Sequence, residues 1–207
     1  DHLIVILSVV SVVGLLLFIW RELTYEHPIV NLSVLKDGNL RIGIVMCFIL
    51  GFGLYGSTLV IPIYTQQILG WSATDAGLLL IPGSITTAFM MPIVGNLIQK
   101  GVPQGYMVGG GFLVFFFFTF WMYTVMTPDT SVDNMYWALI LRGIGLGLLF
   151  VPITTLSLST FKGKSIGEGA AFTGMIRQLG GSFGIAIITT GITRFTQQHR
   201  VNLVSHL

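Results

Sequence analysis

Residues 42–69 read IGIVMCFILGFGLYGSTLVIPIYTQQIL, a stretch from Ile42 to Leu69 without one charged side chain. About 18 apolar residues suffice to cross a bilayer core roughly 30 Å thick, so this stretch is too long for a helix buried in a soluble domain. Working outward, the pattern repeats in Leu3 to Trp20, Ala76 to Ile98, Gln104 to Met126, Met135 to Phe161 and Ile166 to Phe195. Gly70 to Asp75, Gln99 to Pro103, Thr127 to Asn134 and Lys162 to Ser165 punctuate the later runs and are short enough only for antiparallel neighbours. The fold class that follows is all-α, a polytopic transmembrane helix bundle of about six spans.

Composition agrees. Only 9% of the 207 residues are charged, against about a quarter in a soluble domain, so water cannot be the main solvent. With 26 Gly and 15 Phe the chain suits small-residue helix contacts and aromatic belts, not a β-barrel of short alternating strands. Cys47 is the only cysteine and excludes an internal disulfide or thiolate metal site. A net charge of +2 spread over short loops forms no phosphate-neutralising stripe, which argues against nucleic-acid partners. His2, His27, His199 and His206 lie outside the spans without partners at zinc-ligand spacing, so no metal and no cofactor is expected. The first run lacks a basic flank and a small-residue cleavage site and is expected to be a retained span rather than a signal peptide.

Lys and Arg set the orientation, because cytoplasmic loops carry their excess. Arg21, Lys36, Arg41, Lys100, Lys162 and Lys164 fall in the first, third and fifth connections, while the second and fourth carry Asp75, Asp129 and Asp133. The odd connections are therefore expected inside. Residues 21–41 interleave Ile29, Leu32, Val34 and Leu35 with charges, as a cytoplasmic amphipathic connector along the inner surface would. Ser72-x-x-Asp75 and Ser165-x-x-Glu168 read as capping boxes ahead of apolar runs.

Several motifs together point to a family. Arg21-Glu22-Leu23-Thr24, then Pro28 to Lys36, then Gln66-Gln67-x-x-Gly70-Trp71-Ser72-Ala73 follow one another in order. Further on come Arg142-Gly143-x-Gly145-x-Gly147 with Pro152 and Thr154-Thr155, Gly169-Ala170-Ala171, and Arg177-Gln178-Leu179-Gly180-Gly181-Ser182-x-Gly184. Over essentially its whole length the chain resembles the 14-span drug:proton antiporters of the EmrB/QacA type, in the major facilitator superfamily. The resemblance implies a partial major facilitator fold, with residues 1–20 as a linker transmembrane helix and 42–195 as five spans of the C-terminal bundle. Residues 196–207 would begin an extracytoplasmic loop. Gly95-x-Leu97-x-Gln99-Lys100 resembles the facilitator loop motif, with Gln99 where that motif prefers Asp, which leaves open whether the loop keeps the family's gating salt bridge. The missing N-terminal facilitator bundle would complete the transporter, so the chain is expected to be a fragment or truncated product.

Arg142 and Arg177 lie deep in apolar runs, where a charge costs about 2.5–3.5 kcal/mol on insertion scales. Each must face protein, water or cargo, either lining a transport pathway or clamping helix carbonyls. Tyr55, Tyr64, Gln66, Gln67, Thr154, Thr155 and Gln178 are the polar groups that could join a Phe- and Met-rich cavity, unless they belong to the bundle core. Pro62, Pro82, Pro92 and Pro152 free carbonyls inside runs, as around transporter substrate sites. No Asp or Glu sits deep in any run, so the main proton-coupling site is expected in the N-terminal bundle. Gly51-x-Gly53-x-x-Gly56 spells a dinucleotide fingerprint, but inside a membrane run without a preceding strand it reads as helix packing. Gly143-x-x-x-Gly147 and Gly180-x-x-x-Gly184 read as close-contact faces. Ser159-x-x-Lys162 lacks the companion motifs of acyl transfer and reads as a span's end.

The expectation is a secondary transporter, not an enzyme, exporting lipophilic drugs or toxic compounds across the inner (cytoplasmic) membrane in exchange for protons. A non-transporting membrane anchor or regulatory module, or a facilitator for another small solute, are the alternatives. A periplasmic adaptor protein and an outer-membrane channel are partners implied by the resemblance alone.

Overall fold

A computed structural model describes residues 2–24, 38–127, 130 and 132–205. Among them there is no strand. The helices are α1 (His2–Thr24), α2 (Gly38–Gln67), α3 (Ala73–Leu79), α4 (Ile81–Gln99), α5 (Gln104–Val125), α6 (Val132–Ser157) and α7 (Lys164–Ser205). Five stretches are long and apolar enough to cross a membrane: Gly38–Gln67, Ala73–Gln99, Gln104–Val125, Val132–Ser157 and Ser165–Arg194. The remaining apolar run, Leu3 to Trp20, is helical as α1, in which the apolar stretch among described residues is Val5–Gly14. Most of the expected connector lies outside the described residues. α7 stays helical to Ser205, beyond the end of the Ser165–Arg194 stretch.

The helix ends follow local chemistry. Ser72 caps α3: its Oγ accepts from the Asp75 N–H at 3.2 Å and donates to the Asp75 carboxylate at 2.7 Å. The second expected cap is corrected. α7 begins at Lys164, ahead of Ser165, whose hydroxyl donates back to the Lys162 carbonyl at 2.8 Å. Pro82, in the first turn of α4, accompanies the break at Leu80 that divides the third span into α3 and α4. Pro62, Pro92 and Pro152 stay inside α2, α4 and α6. α4 ends in a Schellman motif: Gly101 takes φ +86°, its N–H reaches the Ile98 carbonyl, and the Val102 N–H reaches that of Leu97.

Helix α6 is the centre of the bundle, with half its span buried against 17% for α5. Its glycines explain how it is gripped from two sides. Gly143 and Gly147, one turn apart, face α4, where Cβ atoms would strike the Gly83 carbonyl and Met90. Gly145, about 200° from Gly143 at 100° per residue, faces α5 at Phe115 and Gly111. A second seam joins α2 to α7, with Gly51 against the Arg177 carbonyl and Gly180 and Gly184 against those of Phe48 and Phe52. The fingerprint-like glycines of α2 are thus helix contacts, Gly53 meeting Phe115 and Gly56 meeting Ile188. Both expected Gly-x-x-x-Gly faces occur where backbones touch.

Side chains segregate as a lipid-solvated bundle requires. Phe89, Phe116 and Trp137 point outward and are more than half exposed. Two apolar clusters fill the inside. Ile61, Tyr64, Phe118, Met122 and Leu139 form one, and Cys47, Leu50, Leu146, Leu149 and Ile153 the other. On α6, Arg142 falls between the parts that feed them.

Candidate functional site

Arg142 is 6% exposed and donates to three groups of α2. Its Nε reaches Ser57 Oγ at 3.0 Å, and Nη2 reaches Thr58 Oγ1 and, at 3.4 Å, the Leu54 carbonyl. Each hydroxyl directs its own proton down α2, Ser57 to Gly53 O at 2.7 Å and Thr58 to Leu54 O at 2.7 Å, which leaves oxygen lone pairs for the guanidinium. A buried cation is thereby satisfied without a carboxylate. Ser57, Thr58 and the Leu54 carbonyl do not stand out in the sequence. The one available signal was an adjacent pair of hydroxyls halfway along an apolar run.

Arg177 is placed differently. Its guanidinium carbon lies 4.5 Å from the centroid of the Phe150 ring of α6, a cation–π contact. It makes no hydrogen bond or ion pair with a side chain among the described residues. The next residue, Gln178, accepts a 2.6 Å hydrogen bond from the Tyr55 hydroxyl and ties α7 to α2 again. Thr154 donates to the Phe150 carbonyl at 2.7 Å.

Arg142 thus sits where α6 meets α2, Arg177 where α7 meets α6, and Tyr55 with Gln178 where α2 meets α7, while Thr154 bonds within its own helix. Other candidates lie elsewhere. Tyr64 is buried and donates to the Thr127 carbonyl at 2.5 Å, which pins the end of α2 to the α5–α6 connection. Gln66 and Gln67 are exposed at that same end. Thr155 is exposed and bonds within its helix, to the Val151 carbonyl at 2.8 Å. Gly95, Gln99 and Lys100 lie at the far end of α4, where Gln99 and Lys100 are exposed without side-chain partners among the described residues.

A cavity of about 540 Å³ opens between α2 and α5. Phe52, Val60, Phe112, Phe115, Met122 and Ile188 line it, and its polar lining includes Ser57, Thr119 and Tyr123. Its walls are aromatic and aliphatic, with Met122 and Met126 among them. None of the candidate polar residues lines it, because residues 49, 53, 56 and 60 share one face of α2 while 51, 55 and 58 turn toward α6 and α7.

Residues 2–185 match the family model of the Major Facilitator Superfamily, and the chain belongs to that superfamily. It is 32% identical over 205 residues to the fatty acid resistance protein FarB of Neisseria gonorrhoeae, covering 99% of this chain and 40% of that protein. It is 31% identical to the multidrug export protein EmrB of Escherichia coli (strain K12), covering 97% and 39%. To the lincomycin resistance protein LmrB of Listeria innocua it is 28% identical, covering 88% and 38%. The chain thus spans about 40% of the length of these relatives.

Proposed function

We propose that the chain works as the C-terminal part of a secondary transporter that exports lipophilic compounds across the cytoplasmic membrane by alternating access, in exchange for protons. One observation carries this reading. Arg142 and Arg177 each lie between two and three residues from the middle of their spans, about 4 Å at 1.5 Å per residue, on helices that both contact α2. Intramembrane charge of this kind marks a pathway by default, and transporter sites lie near the midplane between two repeats. The relatives' names, which speak of export and resistance, support the same direction.

In this reading residues 1–20 form a linker helix, 21–41 an inner-surface connector and 42–195 the bundle. The proton-carrying group belongs to a preceding bundle, since the described acidic residues nearest to spans, Asp75, Asp133 and Glu168, sit in or near first helical turns. Tyr55, Gln178 and Thr154 line the path beside the arginines, with Tyr64, Gln66 and Thr155 nearer its ends. A periplasmic adaptor and an outer-membrane channel would carry cargo onward. The test is efflux of a fluorescent lipophilic compound from cells expressing the full-length protein. Efflux abolished by a protonophore is the expected result, and accumulation equal to that of vector-only cells would refute the proposal.

A further inference from the structure

Helix α2 is continuous, yet its two halves are tied to different partners. Up to Gly56 it packs on α7, with the Phe48 and Phe52 carbonyls against Gly180 and Gly184, and Gly56 itself against Ile188. Cys47 and Leu50 of the same half join Leu146, Leu149 and Ile153. Beyond the middle, Ile61 and Tyr64 join the other cluster with Phe118, Met122 and Leu139, and the Tyr64 hydroxyl holds the Thr127 carbonyl. The turn between the halves is weak in its own backbone. Pro62 has no N–H for the Thr58 carbonyl four residues back, and Ser57 and Thr58 both turn their hydroxyls onto carbonyls of the preceding turn, a bonding that bends helices. Arg142 reaches across from α6 to this same turn, at Ser57, Thr58 and the Leu54 carbonyl.

We infer that residues 54–62 of α2 form a hinge between its two anchored halves, and that Arg142 is the clamp that holds the hinge in its packed form. Proline is tolerated in a membrane helix where neighbouring side chains support the interrupted backbone, and Arg142 brings its donors to the turn that Pro62 interrupts. The cavity between α2 and α5 straddles the hinge, since Ile49 and Phe52 line it from one half and Val60 and Ile61 from the other. Bending there alters the room in the cavity and leaves the α2–α7 seam intact. The device follows from bonds within and beside α2, so it holds whether or not the transporter reading does.

Amide hydrogen exchange of the full-length protein in detergent reads local opening directly. Residues 58–61 carry the N–H groups that close the turn. Thr58→Val should speed their exchange by about 3- to 16-fold, the range one interhelical hydrogen bond in a membrane supplies, and Arg142→Met by at least as much, while residues 44–52 keep the wild-type rate. Pro62→Ala supplies an N–H to the Thr58 carbonyl, so it should slow exchange at 58–61 and bring the Arg142→Met protein back toward wild type. A general loss of packing would show no such compensation. Equal acceleration along the whole of α2, or none at 58–61 in Arg142→Met, would overturn the inference. So would a Pro62→Ala change that leaves the Arg142→Met protein as it was. Should Arg142→Met fail to insert, Thr58→Val with and without Pro62→Ala decides by the same comparison.

Discussion

Two hydroxyls and a carbonyl carry a buried guanidinium charge, and this is the most consequential arrangement at the scale of single residues. Interhelical hydrogen bonds in membranes average about 0.6 kcal/mol and reach about 1.7, because the unfolded state in lipid finds partners too. Ser57→Ala and Thr58→Val should therefore each weaken the protein by about that much, read as a shifted unfolding midpoint in mixed micelles. Arg142→Ala removes the charge with its contacts, so under the proposed transporter function it should insert normally yet cut export by at least about tenfold. Export at the wild-type rate would take Arg142 off the pathway and leave it a clamp. The sequence marked both arginines, since charge in an apolar run is visible locally. Their different surroundings were not legible, because Ser57 lies 85 positions from Arg142 and nothing near either residue announces the other.

At the scale of helices, glycine contacts decide which pairs are tight. A Cβ at Gly83 would lie 2.8 Å from the Leu139 carbonyl oxygen and one at Gly184 2.8 Å from that of Phe52, while Gly109 has nothing within 4 Å. Gly83→Ala and Gly184→Ala should then destabilise by about 1–3 kcal/mol, the usual range for overpacking. Gly109→Ala should be neutral or stabilising by up to about 1 kcal/mol through helix propensity. The three variants, compared by thermal unfolding in one detergent, test the seams against a control. Spans were legible because hydrocarbon makes every helix satisfy its own backbone, so hydropathy alone reports them. The cap at Ser165 was misread. A capping box is a four-residue pattern, and Gly163, at φ +61°, lets the chain turn early enough for helix to begin at Lys164. The cavity between α2 and α5 was not legible, since its walls come from elements far apart in sequence and none of the candidate polar residues lines it.

For the whole molecule, the charge pattern predicts a topology that labelling can check. Single cysteines at Lys100 and Lys162, in a Cys47→Ala background, should react with an impermeant maleimide only after cells are opened, and one at Ser72 should react in intact cells. The reverse pattern would turn the bundle over. These three positions are exposed in the connections, so the reagent reads sidedness rather than burial. The seams described above also have a mechanical consequence. α2 with α7, and α4 with α6, are blades whose backbones touch. Between the blades, α2 meets α6 tightly where Gly43 abuts Ser157, and again about 21 Å along at the Arg142 hydrogen bonds. The first junction is held by close packing and the second by hydrogen bonds, so a substitution at Ser57 or Thr58 weakens one end of the α2–α6 contact and leaves the other end as it was.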